Sequence, residues 1–308
     1  MNRHQKCVTV LLFGGLGNQL FQYFAGLATA SAMNASLCLR PIKQSVLRAV
    51  DQSMGMGAIE VEGTIKNSIL PTKIQERLLH ILLDSREHTD KKQKFIVKKN
   101  WIVNDVDLDQ LLIEEPRSLT LVGYFQDLKY INFLENREKK IDLFLKNHSP
   151  WFLTLANEAI GSRPIIIHIR RGDYVKFQDT IGMLDFNYYL GALSKIPNFV
   201  RNKQEVWIFS DSISEAREFL SFAGISAKKA RIIEPPVGSS EAESLLLMSY
   251  GSALVTSNST FSWWSAYLSR EANPVIVPKK WFKGLNDPIN LKQLQWEQME
   301  SIWKNEIK

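Results

Sequence analysis

The segment that most constrains this fold reads PIIIHIRRGDY, from Pro164 to Tyr174. Ile165, Ile166, Ile167 and Ile169 make a β-branched run, with Pro164 before it and Gly172 soon after it. A strand apolar on both faces must be covered on both, as in a parallel sheet layered between helices. Ligands of such open α/β sheets bind beyond the carboxyl ends of the strands. Arg170 and Arg171 therefore emerge where a ligand would sit, with Asp173 close behind. Two planar guanidinium forks at one strand end suit a diphosphate, because each can pair phosphate oxygens bidentately. The same residues also read as a solubilising surface turn, or as an Arg-Gly-Asp adhesion tripeptide, which would require an exported module.

The rest of the chain extends the α/β pattern. A strand is expected over residues 7–13, then a glycine turn and a helix over residues 19–33. Leu78, Leu79, Leu82 and Leu83 lie at helical spacing within residues 74–83. Residues 119–124 read as a strand and residues 138–146 as a helix. Asn147, His148, Ser149 and Pro150 are turn formers and mark a boundary. The expected domains are residues 1–150 and residues 151–308. Beyond the boundary, helices are expected over residues 151–160, 186–196, 214–223, 241–249 and 260–269. They alternate with strands over residues 205–209, 231–233, 253–256 and 274–277. Such alternation implies βαβ units and a parallel sheet. Trp296, Met299 and Trp303 suggest a closing helix over residues 291–307.

With 308 residues the chain is long enough for two ordinary α/β domains. No apolar run approaches bilayer length, and the short stretch from Val8 to Phe13 runs into a glycine turn rather than a cleavage site. Two cysteines, Cys7 and Cys38, fit core thiols in a reducing cytoplasm. A net charge of +6 suits anionic nucleotides or loose attraction to a membrane face without requiring nucleic acid. The basic run Lys91, Lys92, Lys94, Lys98 and Lys99 reads as a solvated loop or edge strand, with a membrane-facing patch as the alternative. Oligomeric state is not legible.

Three further patterns carry chemistry. Gly14, Gly15 and Gly17 stand between a strand and a helix, where backbone amides approach a phosphate or sugar closely. A dinucleotide fingerprint would need a third spaced glycine and a later acidic residue, so an oxidoreductase is disfavoured. Ser257, Asn258, Ser259 and Thr260 lie between a strand and a helix, a place for capping and for an anion. Phe261, Trp264 and Leu268 share a helical face that reads as core. Asp105, Asp107 and Asp109 have the Asp-x-Asp spacing of metal-dependent transferases, though Asp107 also reads as a helix start. A non-catalytic nucleotide-binding module is the remaining alternative.

Four segments, in order, resemble the alpha-1,2-fucosyltransferase family. They are GGLGNQLFQY from Gly14, GYFQ from Gly123 with Lys129 and Tyr130 after it, HIRRGDY from His168, and TSNSTFSWWSAYL from Thr256. The resemblance implies a GT-B-like fold with two Rossmann-like lobes facing a cleft. It places GDP-fucose on the C-terminal lobe and the acceptor on the N-terminal lobe. It further implies inverting transfer of fucose to the 2-hydroxyl of a terminal galactose on a free or lipid-linked glycan such as an O-antigen, with no metal. Arg170 would contact the β-phosphate, and Arg171, Gly15 and Gly17 would join the donor site. His168 would sit beside the nucleotide, although its own context equally suits a satisfied core histidine. Asn18 matches the Asn of a similar glycine-Asn-Gln loop in protein O-fucosyltransferases, near fucose and leaving group. Asp211 matches a Ser-Asp position whose second acidic residue is Ser212 here, and Glu243 lies near a family acidic position. Ser257, Asn258, Ser259, Thr260 and Phe261 complete the implied donor site. Asp173, nearest the arginines, is the candidate general base, with orientation of Arg171 as its other role.

Overall fold

The computed structural model describes residues 6–42, 55–66, 94–97, 100–114, 116–288 and 290–304. The helix expected over residues 74–83 and all of the basic run but Lys94 lie outside them. The chain divides into two compact units, Met1–Asp142 with Pro288–Leu291, and Leu143–Asp287 with Lys292–Lys308.

In the first unit β1 (Cys7–Leu12) pairs in parallel with β2 (Ser36–Pro41) on one side and β6 (Ser118–Leu121) on the other. The sheet is extended by β3 (Thr64–Ile65), β5 (Asn100–Val103) and β4 (Lys94–Val97). Its order is β3-β2-β1-β6-β5-β4, and only the β4 edge runs antiparallel. Helix α1 (Leu16–Met33) follows β1, and α2 (Leu108–Glu114) and α3 (Lys129–Glu135) precede and follow β6. Helix α1 starts three residues before the expected Gln19, with Gly15 as N-cap and Gly17 buried in its first turn. Glycine's poor helix propensity hides such a start from a sequence reading. Asp107 Oδ1 accepts from the Asp109 and Gln110 amides at 3.1 and 3.0 Å, and so caps α2.

The second unit begins with α4 (Pro150–Ser162), capped by the Ser149 side chain on the Phe152 amide. Its strands are β7 (Ile165–Ile169), β8 (Val206–Ser210), β9 (Ala230–Ile232), β10 (Ala253–Val255), β11 (Val275–Pro278) and β12 (Glu297–Met299). They lie in the order β12-β11-β10-β7-β8-β9, all parallel. Between them run α5 (Phe186–Lys195), α6 (Asn198–Lys203), α7 (Ile213–Phe222), α8 (Glu241–Met248) and α9 (Thr260–Leu268). Every residue of β7 is buried, as its apolar run requires. Ile165, Ile167 and Ile169 join one core with Tyr188, Tyr189 and Phe219, while the His168 ring meets Phe261 at 5.7 Å. No described helix is long and apolar enough to cross a membrane.

Two expectations fail. Residues 138–146 are not a helix: the described helix is α3, and only Leu145 within the expected span makes an isolated bridge. Leu143 and Leu145 are buried two apart, a strand-like alternation that the charged residues around them obscure. The closing segment is also not a helix among its described residues. Glu297–Met299 pairs with β11, and Trp303 bridges Leu184. Trp296 packs on Trp263 at 5.6 Å and Trp303 enters the core, so the aromatic spacing serves two separate contacts rather than one helical face.

Candidate active site

Each sheet has a switch point, where the chain leaves one strand to one side and a neighbouring strand to the other. It falls between β1 and β6 in the first unit and between β7 and β10 in the second. A crevice opens beyond the carboxyl ends of such a strand pair, where α/β sheets take their ligands. All four sequence motifs end at these two places.

In the second unit the chain leaves β7 at Arg170. The Arg170 guanidinium is gripped by two carboxylates, with Nη2 donating to Asp173 Oδ1 at 2.5 Å and Nη1 lying 2.9 Å from Asp211 Oδ2. Asp211 follows β8 and is placed by Ser210, whose hydroxyl donates to the Ile169 carbonyl at 2.8 Å. Its other oxygen accepts from the Arg171 amide at 2.8 Å. Asp211, at the family's Ser-Asp position, is therefore a clamp on both arginines. Gly172 has φ of +24°, and a Cβ there would lie 2.3 Å from Asp211 Oδ2, so the turn requires glycine. Burial works against the Arg170 charge, but Asp211, Tyr174 and Asp173 outweigh it and raise the pKa.

Arg171 is only 2 % exposed. Its Nε donates to Glu215 Oε2 at 2.9 Å and its Nη1 to the Arg170 carbonyl at 3.1 Å. The expected donor contact is thus an interior group in this structure. A sequence reading cannot tell which of two adjacent arginines turns inward.

His168 is buried, and its Nδ1 lies 2.8 Å from the Ser257 hydroxyl, tying the end of β7 to that of β10. Burial, and then the nearby Arg170, push its pKa down to about 3, so the ring is neutral near pH 7. Ser259 caps α9 by accepting from the Phe261 amide at 3.3 Å. Asn258 Nδ2 donates to the Ile181 and Gly182 carbonyls at 3.2 and 3.1 Å, and its own carbonyl accepts from the Tyr174 hydroxyl at 3.0 Å. Thr260 and Phe261 open α9 and are partly exposed. Tyr174 also lies beneath Arg170, with 5.3 Å between guanidinium carbon and ring centre. Glu243 stands apart. It is buried at the start of α8, and its two oxygens accept from the Ser149 amide and hydroxyl at 2.6 and 3.0 Å. It fixes the start of α4 rather than meeting the arginines.

In the first unit Gly14 has φ of +78°, and a Cβ there would lie 2.9 Å from Asn18 Nδ2. Gln19 Nε2 donates to the Gly14 carbonyl at 2.6 Å, and Gln22 clamps Phe13 through both its amide and its carbonyl. The Gly15 carbonyl accepts from the Asn18 and Gln19 amides at 2.9 and 3.0 Å. From beyond β6, Gln126 Nε2 donates to Asn18 Oδ1 at 2.9 Å. Two motifs 108 residues apart therefore meet at one switch point. Gln126 lies inside a quoted motif but had no expected role. Asp105 accepts from Lys129 and from the Tyr130 hydroxyl, and Asp107 caps α2. The Asp105 and Asp107 carboxylates thus have other partners, and no grouping of three metal-ligating side chains occurs among the described residues.

Comparison with known proteins identifies the family and the fold. The model of glycosyl transferase family 11 matches residues 1–295. An alpha-1,2-colitosyltransferase of Escherichia coli is 25 % identical over 292 residues, covering 90 % of this chain and 92 % of that protein. The O-antigen biosynthesis glycosyltransferase WbnK of the same species is 27 % identical, covering 89 % and 95 %. A galactoside 2-alpha-L-fucosyltransferase of Caenorhabditis elegans is 23 % identical, covering 96 % and 78 %. Among solved structures, a mutant of Arabidopsis thaliana FUT1 in complex with GDP superposes with a TM-score of 0.52 at 14 % identity, covering 89 % of this chain and 70 % of that one.

Proposed function

The chain belongs to glycosyl transferase family 11, and on that premise we propose that it moves L-fucose from GDP-β-L-fucose to the 2-hydroxyl of a terminal galactose, with inversion. The observation that carries this reading is Arg170, a partly exposed guanidinium at a switch point with its direction fixed by Asp173 and Asp211. In the transfer, the bond from the anomeric carbon to the β-phosphate oxygen breaks with oxocarbenium character. The acceptor oxygen attacks the opposite face and loses its proton. Negative charge grows on the leaving β-phosphate, and a cation already oriented stabilises that charge more than it stabilises the bound donor.

A phosphate oxygen that takes over Arg170 Nη2 releases Asp173 Oδ1. The freed carboxylate makes Asp173 the candidate general base for the acceptor hydroxyl. The amides opening α9 add a neutral anion site. His168, being neutral, serves through hydrogen bonding with Ser257 rather than as a second cation. Asn18, held by Gln126, belongs to the sugar side of the reaction. The uses of Asp105 and Asp107 favour this arginine-based route over one through an Asp-x-Asp metal. We place the reaction in the cytoplasm, on a free or lipid-linked oligosaccharide; the O-antigen kind is favoured by the name of one E. coli relative.

The colitosyltransferase relative favours one second reading, in which the donor sugar is colitose, L-fucose without its 3-hydroxyl. One experiment separates these readings. The protein is supplied with a β-galactoside and either GDP-fucose or GDP-colitose, with and without EDTA, and the product linkage is read by NMR. EDTA-resistant fucosyl transfer to the 2-hydroxyl is expected. Transfer abolished by EDTA would overturn the metal-free route, and transfer from GDP-colitose alone would overturn the donor. Calorimetric GDP binding without any transfer would leave a nucleotide-binding module.

A further inference from the structure

We infer that Arg171, Glu215 and Lys304 form a relay that positions Arg170 from the interior. This inference rests on the reading of Arg170 as the β-phosphate contact. Three observations carry it.

The first is burial. With 2 % of its surface exposed, Arg171 is an interior side chain. Its Nη1 instead donates to the carbonyl of Arg170 at 3.1 Å, so the second arginine holds the backbone of the first. Asp211 closes the same loop from the other side, joining the Arg171 amide to the Arg170 guanidinium.

The second is charge. A buried guanidinium needs a carboxylate, and Glu215 supplies it at 2.9 Å from the first turn of α7. The other Glu215 oxygen accepts from Lys304 Nζ at 2.6 Å. Burial alone would raise the Glu215 pKa, but hydrogen bonds from Lys304 and Arg171 outweigh it and lower it. The Phe186 ring faces both cations, 5.3 Å from the Arg171 guanidinium and 5.8 Å from Lys304 Nζ.

The third is anchorage. Lys304 is not a loose surface lysine. Its amide donates to the Met183 carbonyl at 2.8 Å, the neighbouring Trp303 bridges Leu184, and the Asp185 amide donates to the Ile302 carbonyl at 2.7 Å. The segment that replaces the expected closing helix thus delivers a cation to a fixed point behind the site. A carboxylate held between two cations cannot swing, and it fixes the side chain that grips the Arg170 carbonyl.

A merely structural ion chain would lower stability without singling out Arg170, and a double-mutant cycle distinguishes the two. The variants are Lys304→Met, Lys304→Arg and Glu215→Gln, each made in the wild type and in an Arg170→Lys background. Transfer rate, GDP affinity and melting temperature are measured for each. In the wild type, Lys304→Met and Glu215→Gln are expected to lower kcat about tenfold, with GDP affinity changed by about threefold or less. Lys304→Arg should restore most of the rate. In the Arg170→Lys background the same changes should cost about twofold or less, because the group they position is gone. Arg171→Lys should lower kcat more than it weakens GDP binding. Equal losses in both backgrounds, or an unchanged rate in Lys304→Met, would overturn the relay while leaving the Arg170 reading intact. A GDP affinity lost as fully in Arg171→Lys as in Arg170→Lys would make Arg171 a direct phosphate contact. Wild-type protein that binds no GDP would overturn the donor reading and the relay together.

Discussion

The two switch points are built from opposite materials. In the first unit the β1–β6 end presents a pair of neutral amides, Asn18 and Gln126, over a glycine turn held by Gln19 and Gln22. In the second, the β7–β10 end presents a guanidinium between two carboxylates, with a second ion chain behind it. Neutral amides satisfy one another at little desolvation cost, so a short local network fixes them. A fixed cation needs counter-charges, and for Arg170 these come from the turn after β7 and the end of β8, while Glu215 of α7 serves Arg171 and is itself met by Lys304. The difference matches the chemistry that each end can recognise. Amides read sugar hydroxyls, while a developing phosphate charge needs a cation that does not reorganise.

The comparison breaks most visibly at Arg170. Arg170→Ala should leave a folded protein and lower transfer by about a thousandfold, the scale of losing a group that stabilises transition-state charge. Asp173 and Asp211 would then face each other without their shared cation, so a moderate fall in melting temperature is also expected. Circular dichroism checks the fold, and initial rates with GDP-fucose check the loss. A rate within tenfold of wild type would mean that the charged end does not carry the chemistry.

A smaller effect tests the neutral end. Gln126→Leu keeps the side chain's bulk but removes the donor to Asn18 Oδ1. About a tenfold loss of kcat is expected, with GDP affinity unchanged because no charge is touched. Asn18→Ala and Gln126→Leu should combine to little more than Asn18→Ala alone, since one acts through the other. Full additivity would separate the two residues. A loss of GDP binding in Gln126→Leu would move the neutral end into the nucleotide site.

Much of this arrangement was legible because strand ends leave local marks. The β-branched run of β7 announces a parallel strand covered on both faces, and the arginines after it land at the switch point. The Gly14 turn and the Ser259 cap are likewise local features, and both are found where the chain implies them. What the sequence hides is non-local. Nothing in the first turn of α7 marks Glu215 as a partner for Arg171, and a lysine after Trp303 looks like any solvated terminus. Arg171 and Glu243 carry charges that suggest a ligand, yet each faces the interior. For Arg171 the reason is that adjacent residues turn opposite ways as a strand ends. The closing segment misleads for a related reason. Its aromatic spacing fits a helix, but pairing with β11 and the bridge to Leu184 override that preference.

The smallest effect at neutral pH concerns His168, and it sharpens the account of the charged end. If Arg170 is the cation there, the histidine beside it must stay neutral, as its pKa of about 3 requires. In the unfolded chain the imidazole returns to an ordinary value of about 6.5. Between these two values the unfolded state binds a proton that the folded state refuses, so stability falls as pH falls through that window. The slope for one such proton is at most about 1.4 kcal/mol per pH unit. Urea midpoints from pH 7 down to pH 4 should therefore decline more steeply in the wild type than in His168→Gln, which cannot take up the proton. At pH 7 the titration itself contributes nothing, and only the lost hydrogen bond to Ser257 should separate the two proteins. Parallel acid profiles would instead mean that His168 takes up its proton in the folded protein at the ordinary value of about 6.5. Below that pH the charged end would hold two cations, and the phosphate role would be shared between them.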